Sequence, residues 1–87
     1  MTDVTTHQQL TPAEVIADGI ITAKIRSALL ADPLTGGYSI HIASVRARIR
    51  LDGFVEFAAV RQRALQIAAQ VEGVVLVEDL LEIRRRQ

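Results

Sequence analysis

The 87-residue sequence has no cysteine, no tryptophan and only three aromatic side chains, Tyr38, Phe54 and Phe57. The absence of cysteine excludes a disulfide, a thiolate zinc site and a cysteine nucleophile. Three aromatic rings are too few for a platform on which nucleic-acid bases stack. The net charge is zero, because ten Lys and Arg balance ten Asp and Glu, and this argues against a general polyanion binder. We therefore expect no nucleic-acid partner.

The sequence also lacks the short motifs of catalysis. It contains no phosphate-binding Gly-rich loop, no dinucleotide-binding G-x-G-x-x-G, no nucleophile elbow and no H-E-x-x-H zinc motif. Its two histidines, His7 and His41, have no carboxylates at metal-ligand spacing. Asp18 and Asp32 could supply oxygen atoms to a cation, although an ordinary helical acid and loop acid are the commoner interpretation. The sequence thus predicts a protein that is not an enzyme and has no metal site and no cofactor.

Neither a secretory leader nor a membrane-spanning stretch is visible in the sequence. The first ten residues, MTDVTTHQQL, are polar, whereas a leader has a basic start and an apolar run of roughly 7–15 residues. No apolar run approaches the ~18–20 residues that cross a bilayer. As written, the chain is predicted to be cytoplasmic, or periplasmic if a leader has been removed.

Hydrophobic residues make up 49% of the chain, which is typical of one small folded domain and excludes disorder over most of it. We predict a flexible tail at 1–11, a folded domain at 12–83 and a basic tail at 84–87. The first helix begins at a capping box of Thr11, Pro12 and Glu14, and Asp32-Pro33 ends it. Its apolar stripe comprises Ala17, Ile21, Ile25, Ala28 and Leu29, widened by Ile20 and Leu30.

Period-two alternation predicts two strands next, joined by a turn near Ser44 to Arg46. The first strand runs from Tyr38 to Ser44. The second strand has Ala47, Ile49 and Leu51 on one side and Arg46, Arg48 and Arg50 on the other. Gly53 follows, and its position suggests a bulge, a positive φ or close backbone packing.

A helix at about 57–71 and a last strand at 75–83 complete the pattern. The helix ends before Gly73, which suits the left-handed residue beyond a helix C-terminus. On the last strand Glu78 and Glu82 face solvent, while Asp79 has the parity of the apolar side. The order α-β-β-α-β predicts a two-layer α+β fold, with two helices on one face of a three-stranded mixed sheet. The other face is expected to be open, polar and charged.

This succession of residues resembles the BON domain, a small module of bacterial proteins. The similarity covers about 18–83. The hairpin follows the family's V-x-L-x-G-x-V signature, except that Arg46-Ala47 stands where the family usually has an Asp/Asn-Gly turn. The resemblance implies a non-catalytic module linked to the cell envelope, osmotic stress and phospholipid association. The matching positions are Asp18, Ile21, Ile25, Leu29, Ile40, Ile42, Ile49, Leu51, Gly53, Val55, Ala64, Ile67, Ala68, Val71, Gly73, Val74, Val77, Leu81 and Ile83.

The candidate binding residues are Arg46, Arg48 and Arg50. Strict alternation on a strand would project them from the open face at a spacing of ~6.6–7 Å, and guanidinium groups suit phosphate oxygens. The alternative interpretation is cross-strand pairing with Glu78 and Glu82, and charge runs more often mark a solvated face.

Three functional hypotheses remain open at this point. The leading hypothesis is a binding module for anionic phospholipid or an envelope or protein partner, acting in osmotic or envelope stress. A second is a cytoplasmic sensor of a small ligand or of a cation such as potassium. A third is weak self-association, because residues 46–63 hold five arginines against two carboxylates and residues 64–83 hold four carboxylates and no Lys or Arg.

Overall fold

The computed structural model describes residues 9–85 and confirms the predicted order of elements. The predicted N-terminal tail lies largely outside the described residues, as do His7 and the end of the basic tail at 86–87. The elements are α1 (Pro12–Ala31), β1 (Ile40–Val45), β2 (Arg48–Val55), α2 (Ala58–Gln70) and β3 (Leu76–Ile83).

Helix α1 begins at the predicted capping box. The Thr11 hydroxyl accepts a hydrogen bond from the Glu14 N–H at 3.2 Å, and a Glu14 carboxylate oxygen accepts one from the Thr11 N–H at 2.8 Å. Two amide donors that the helix leaves unsatisfied are thus bonded locally. Asp32 is the C-cap residue and is extended, as expected of a residue before proline.

The sheet has the strand order β1-β2-β3. β1 and β2 pair antiparallel as a hairpin, and β2 and β3 pair parallel because α2 carries the chain back across the sheet. Each residue of β2 from Arg48 to Val55 therefore has a neighbour on β3, in a register that begins with Arg48 beside Leu76.

One hydrophobic core lies between the helices and one face of the sheet. Ile20 and Leu30 were expected to widen the core-facing stripe of α1, but this prediction is wrong: their exposures are 52% and 63%. Both side chains are more than half in solvent, and Ala17 is exposed as well. The buried cluster comprises Ile21, Ile25 and Leu29 of α1, Ile49 and Leu51 of β2, Ala64, Ile67 and Ala68 of α2, and Leu81 of β3.

The hairpin turn consists of Arg46 and Ala47, whose φ angles are +52° and +64°. Val45 pairs with Arg48, so the loop has two residues, and positive φ at both is the geometry of a type I′ turn. The expectation that Arg46 and Ala47 belong to the second strand is therefore wrong, since β2 begins at Arg48. Left-handed backbone at two non-glycine residues is unfavourable by roughly 1–2 kcal/mol each, so another interaction must stabilise it.

Gly53 and Gly73 both have positive φ, at +133° and +93°. Gly53 lies opposite Ile40 in the hairpin, and a Cβ atom there would stand 2.8 Å from the Ser39 carbonyl oxygen. Gly53 thus satisfies two of the predicted reasons for a glycine, a positive φ and close backbone packing. Gly73 lies beyond the C-cap residue Val71, in the left-handed conformation that the sequence predicts.

Candidate functional site on the open face of the sheet

The side of the sheet that faces away from both helices forms the open face. It was expected to be polar and charged, and this is wrong in one respect, because four large apolar side chains lie on it. Val45, Phe54, Leu76 and Leu80 are 45–54% exposed. The remaining side chains of the open face are His41 and Ala43 of β1, Arg48, Arg50 and Asp52 of β2, and Glu78 and Glu82 of β3.

The three candidate arginines do not form one row. Arg48 and Arg50 project from β2 on the open face, as predicted. Arg46 lies in the turn, and its guanidinium Nε donates to a Glu14 carboxylate oxygen at 3.1 Å, at the start of α1. Arg46 is displaced from the row because of its backbone conformation. A left-handed residue in a two-residue turn does not continue the alternation of side-chain directions along the strand that follows.

The predicted cross-strand pairing is present for one arginine. Arg50 lies beside Glu78 in the parallel register, and its Nε is 3.3 Å from a Glu78 carboxylate oxygen. Both side chains are more than half exposed, so the pair contributes at most about 1 kcal/mol. Glu82 lies beside Phe54 instead of an arginine. Within residues 9–85, Arg48 makes no ion pair or hydrogen bond through its side chain.

A depression of about 580 Å³ lies at the hairpin end of the open face, and we call it the basic depression. All three candidate arginines line it, so the structure brings them to one place although Arg46 is not on the strand. Their neighbours there are aliphatic, and one carboxylate is present. The other lining residues are Ala43, Val45, Ile49, Val75, Leu76 and Glu78.

A second depression, of about 670 Å³, lies at the opposite end of the open face, and we call it the acidic depression. Asp52, Glu82 and His41 line it together with Phe54 and Leu80. The Arg84 guanidinium lies 3.9 Å from the centre of the Phe54 ring, which is cation–π geometry. The Arg84 N–H also bonds to the Val55 carbonyl oxygen at 2.7 Å, so the first residue of the predicted basic tail is hydrogen-bonded to the end of β2.

Asp18 stabilises the turn that positions Arg46 and the basic depression. Its carboxylate accepts hydrogen bonds from the Ser44 hydroxyl at 2.7 Å and from the backbone N–H groups of Arg46 and Ala47, both at 2.9 Å. The Ala47 N–H, followed by the Ser44 hydroxyl and the Arg46 N–H, lowers the pKa of Asp18 below its ordinary value. These bonds hold the two left-handed residues in place without an Asn-Gly sequence.

Asp32 and Asp79, the other carboxylates considered from the sequence, also form ion pairs within the fold. Asp32 is 2.8 Å from the Arg63 guanidinium, and this contact lowers the pKa of Asp32. Asp79 lies on the helix side of β3 and binds Arg61 of α2 at 2.6 Å, which explains its apolar parity. Among residues 9–85 no group of three His, Cys, Asp or Glu side chains is arranged to hold a metal ion.

The apolar part of the open face was not predicted from the sequence. Leu76 and Leu80 alternate with Val77 and Leu81 along β3, so their parity with Glu78 and Glu82 was available as a signal. Leu80 lies beside Asp52 in the parallel register, so an apolar side chain forms part of the acidic depression. No helix among the described residues is long and apolar enough to span a bilayer.

A helix-covered three-stranded mixed sheet with an open, mixed-charge face defines a small α+β module. The family model of the BON domain matches residues 17–85, and the chain belongs to this family. It is also 36% identical over 67 residues to osmotically-inducible protein Y of Escherichia coli (strain K12). That alignment covers 77% of this chain and 33% of the relative, so the chain spans about a third of the relative's length.

Proposed function

We propose that this chain is a non-catalytic binding module whose basic depression associates with the phosphate groups of an anionic phospholipid surface. The observation that carries the proposal is the position of Arg48. It is exposed, makes no ion pair within residues 9–85, and lies between Val45 and Leu76, which are 54% and 45% exposed.

An arginine among aliphatic side chains suits a lipid interface. The guanidinium group binds phosphate oxygens through parallel N–H donors, and neighbouring aliphatic side chains can enter the boundary between head groups and acyl chains. A basic residue near an anionic membrane contributes about 1 kcal/mol. Arg46 and Arg50 each have a carboxylate partner, so Arg48 is expected to contribute most of the three.

The biological setting belongs to the same proposal. The Escherichia coli relative is named as an osmotically inducible protein, and we infer that this module acts in the response to osmotic or envelope stress. Because the relative is about three times as long as the aligned region, its own role is taken only as support for the setting.

Co-sedimentation with vesicles tests the proposal. Wild-type protein is expected to sediment with vesicles of anionic phosphatidylglycerol at low salt and to be released at physiological salt, because surface charges are screened. Arg48→Glu is expected to reduce the bound fraction at least fivefold. Lys24→Glu, which makes the same charge change on the exposed side of α1, is the matched control and is expected to bind like wild type.

Three results would contradict the proposal. They are no enrichment on anionic vesicles at low salt, equal enrichment on neutral phosphatidylcholine vesicles, and wild-type binding by Arg48→Glu. Loss of binding by Lys24→Glu alone would place the contact on α1 instead. Release of the protein by millimolar inorganic phosphate would indicate a site for soluble phosphate.

A further inference from the structure

The open side of β2 has an ordered sequence of charges. From the hairpin end it presents Arg48, Arg50, Asp52 and Phe54 in alternating positions, about 6.6–7 Å apart. Two cations are thus followed by an anion and an aromatic ring. Asp52 attracts cations, and the Phe54 ring already has one within the chain, because the Arg84 guanidinium lies 3.9 Å from its centre.

The ends of the open face also hold charges that the fold leaves unsatisfied. Arg48 at the basic end, and Asp52 and Glu82 at the acidic end, make no ion pair or hydrogen bond through their side chains within the described part of the chain. By contrast, Asp18, Asp32 and Asp79 are all bonded to other elements. Unpaired charges of opposite sign are therefore present at the two ends of this one surface.

We propose that the open faces of two copies of this chain pack against each other, with their β2 strands antiparallel. The two-fold axis passes between Arg50 and Asp52. In this arrangement Arg50 of one copy lies over Asp52 of the other. Arg48 lies near Phe54 of the other copy and has Glu82, on the adjacent strand of that copy, as its charge partner. Each contact occurs twice, as in any isologous interface.

Charge complementarity favours a second copy as the occupant of the whole face. A polyanion is attracted by the basic depression but repelled by Asp52 and Glu82 in the acidic depression. A second copy presents both signs in the reverse order and also covers the half-exposed Val45, Leu76 and Leu80. Two sheets that pack face to face in this way keep their strands within about 30° of each other.

The size of the face sets the strength of the association. Three strands about 4.8 Å apart, with eight residues of about 3.3 Å each, give a flat area of roughly 14 by 26 Å. Two such faces bury less than the ~1,200–2,000 Å² of a stable protein interface. The dimer is therefore weak, forms at high protein concentration, and dissociates as salt screens its exposed ion pairs.

This inference stands apart from the lipid proposal, because Asp52 and Glu82 have no part in lipid binding. The two are nevertheless linked, since a second copy covers the basic depression. Dimerisation and vesicle binding are expected to exclude each other, which gives an additional measurement that separates them.

Sedimentation velocity with two complementary variants tests the pairing. Wild-type protein is expected to shift from monomer to dimer between about 10 µM and 1 mM in low salt. The acidic variant Arg48→Glu/Arg50→Glu and the basic variant Asp52→Lys/Glu82→Lys are each expected to remain monomeric over that range. An equimolar mixture of the two is expected to recover the dimer, because opposite faces are complementary again. Lys24→Glu is expected to dimerise like wild type.

The outcomes distinguish the two proposals. The pairing is wrong if the wild type stays monomeric at 1 mM in low salt, or if either variant dimerises alone as wild type does. It is also wrong if the mixture stays monomeric while circular dichroism shows both variants folded. If a double variant does not fold, the single variants Arg48→Gln and Asp52→Asn are each expected to weaken dimerisation at least threefold. The basic variant is expected to keep vesicle binding, because as a monomer it leaves the basic depression uncovered.

Discussion

Two glycines of this chain have opposite roles at the scale of single residues. Gly53 has a φ of +133° and faces the Ser39 carbonyl oxygen across the hairpin. Gly19 lies within α1, and a Cβ atom there would meet nothing within 4 Å. The first position needs a residue without a Cβ atom, whereas the second merely tolerates one at the expense of helix stability.

Replacing each glycine by alanine should therefore change stability in opposite directions. Gly53→Ala is expected to lower the free energy of unfolding by about 2–3 kcal/mol, because it adds backbone strain and a close contact. Gly19→Ala is expected to raise it by about 0.5–1 kcal/mol. Urea unfolding monitored by circular dichroism measures both. Equal stability of Gly53→Ala and wild type would show that the backbone there is unstrained.

Asp18 is the residue that makes an unusual turn possible. A left-handed pair without glycine or asparagine is stabilised here by three hydrogen bonds to one buried carboxylate. Two of the three donors are the N–H groups of the left-handed residues themselves. Asp18 thus links α1 to the hairpin and fixes the turn from which Arg46 reaches Glu14.

Asp18→Asn is expected to destabilise the protein by about 2–3 kcal/mol at neutral pH. The variant loses charge-assisted hydrogen bonds, and the NH₂ group of the new amide would face groups that are themselves hydrogen-bond donors. The folded state lowers the pKa of Asp18, so its contribution is complete above the unfolded pKa of about 3.9 and is lost as pH falls through the lower, folded pKa. Thermal unfolding from pH 7 to pH 2 measures this.

The gap between wild type and Asp18→Asn should therefore narrow below about pH 4. Asp52→Asn is the matched control, because that carboxylate makes no hydrogen bond within residues 9–85, and it is expected to stay within about 0.5 kcal/mol of wild type. A gap for Asp18→Asn that is constant with pH would contradict the assigned role of the charge.

At the scale of elements, α1 is apolar on two sides, and this explains why its core-facing side was predicted too broadly. Ile21, Ile25 and Leu29 face the sheet, while Ile16, Ile20 and Leu30 are more than half exposed. Because aliphatic residues occur on both sides of the helix, the 3.6-residue hydrophobic period does not distinguish its buried side from its solvated side. The sequence pattern locates the helix well and its buried side less well.

Alanine substitutions at Ile25 and Ile20 separate the two sides. Ile25 is fully buried, and Ile25→Ala is expected to lower the free energy of unfolding by about 2–5 kcal/mol through lost burial and a cavity. Ile20→Ala is expected to change it by less than about 1 kcal/mol, because the side chain is 52% exposed. Chemical denaturation of both variants checks this, and equal losses would mean that another surface covers Ile20.

At the scale of the whole molecule, the net charge is zero although positive and negative side chains are separated on the open face. The hairpin end of the open face is basic and the opposite end is acidic, and apolar side chains lie at both. A net charge of zero therefore does not exclude electrostatic recognition, since a depression presents its local charge to a ligand. The two proposals together predict that an anionic surface and a second copy compete for this face.

The sequence by itself determined the order of elements, the capping box at Thr11, the family and the two special glycines. These features depend on neighbouring residues, namely hydrophobic period, caps, and the backbone freedom of glycine. Only the tertiary structure decided where Arg46 points. Asp18 holds the turn left-handed by binding two N–H groups that are 28 and 29 residues away in sequence. The tertiary structure likewise decided that Arg50 pairs with Glu78 while Arg48 stays unpaired, since strand register arises from packing between elements distant in the chain.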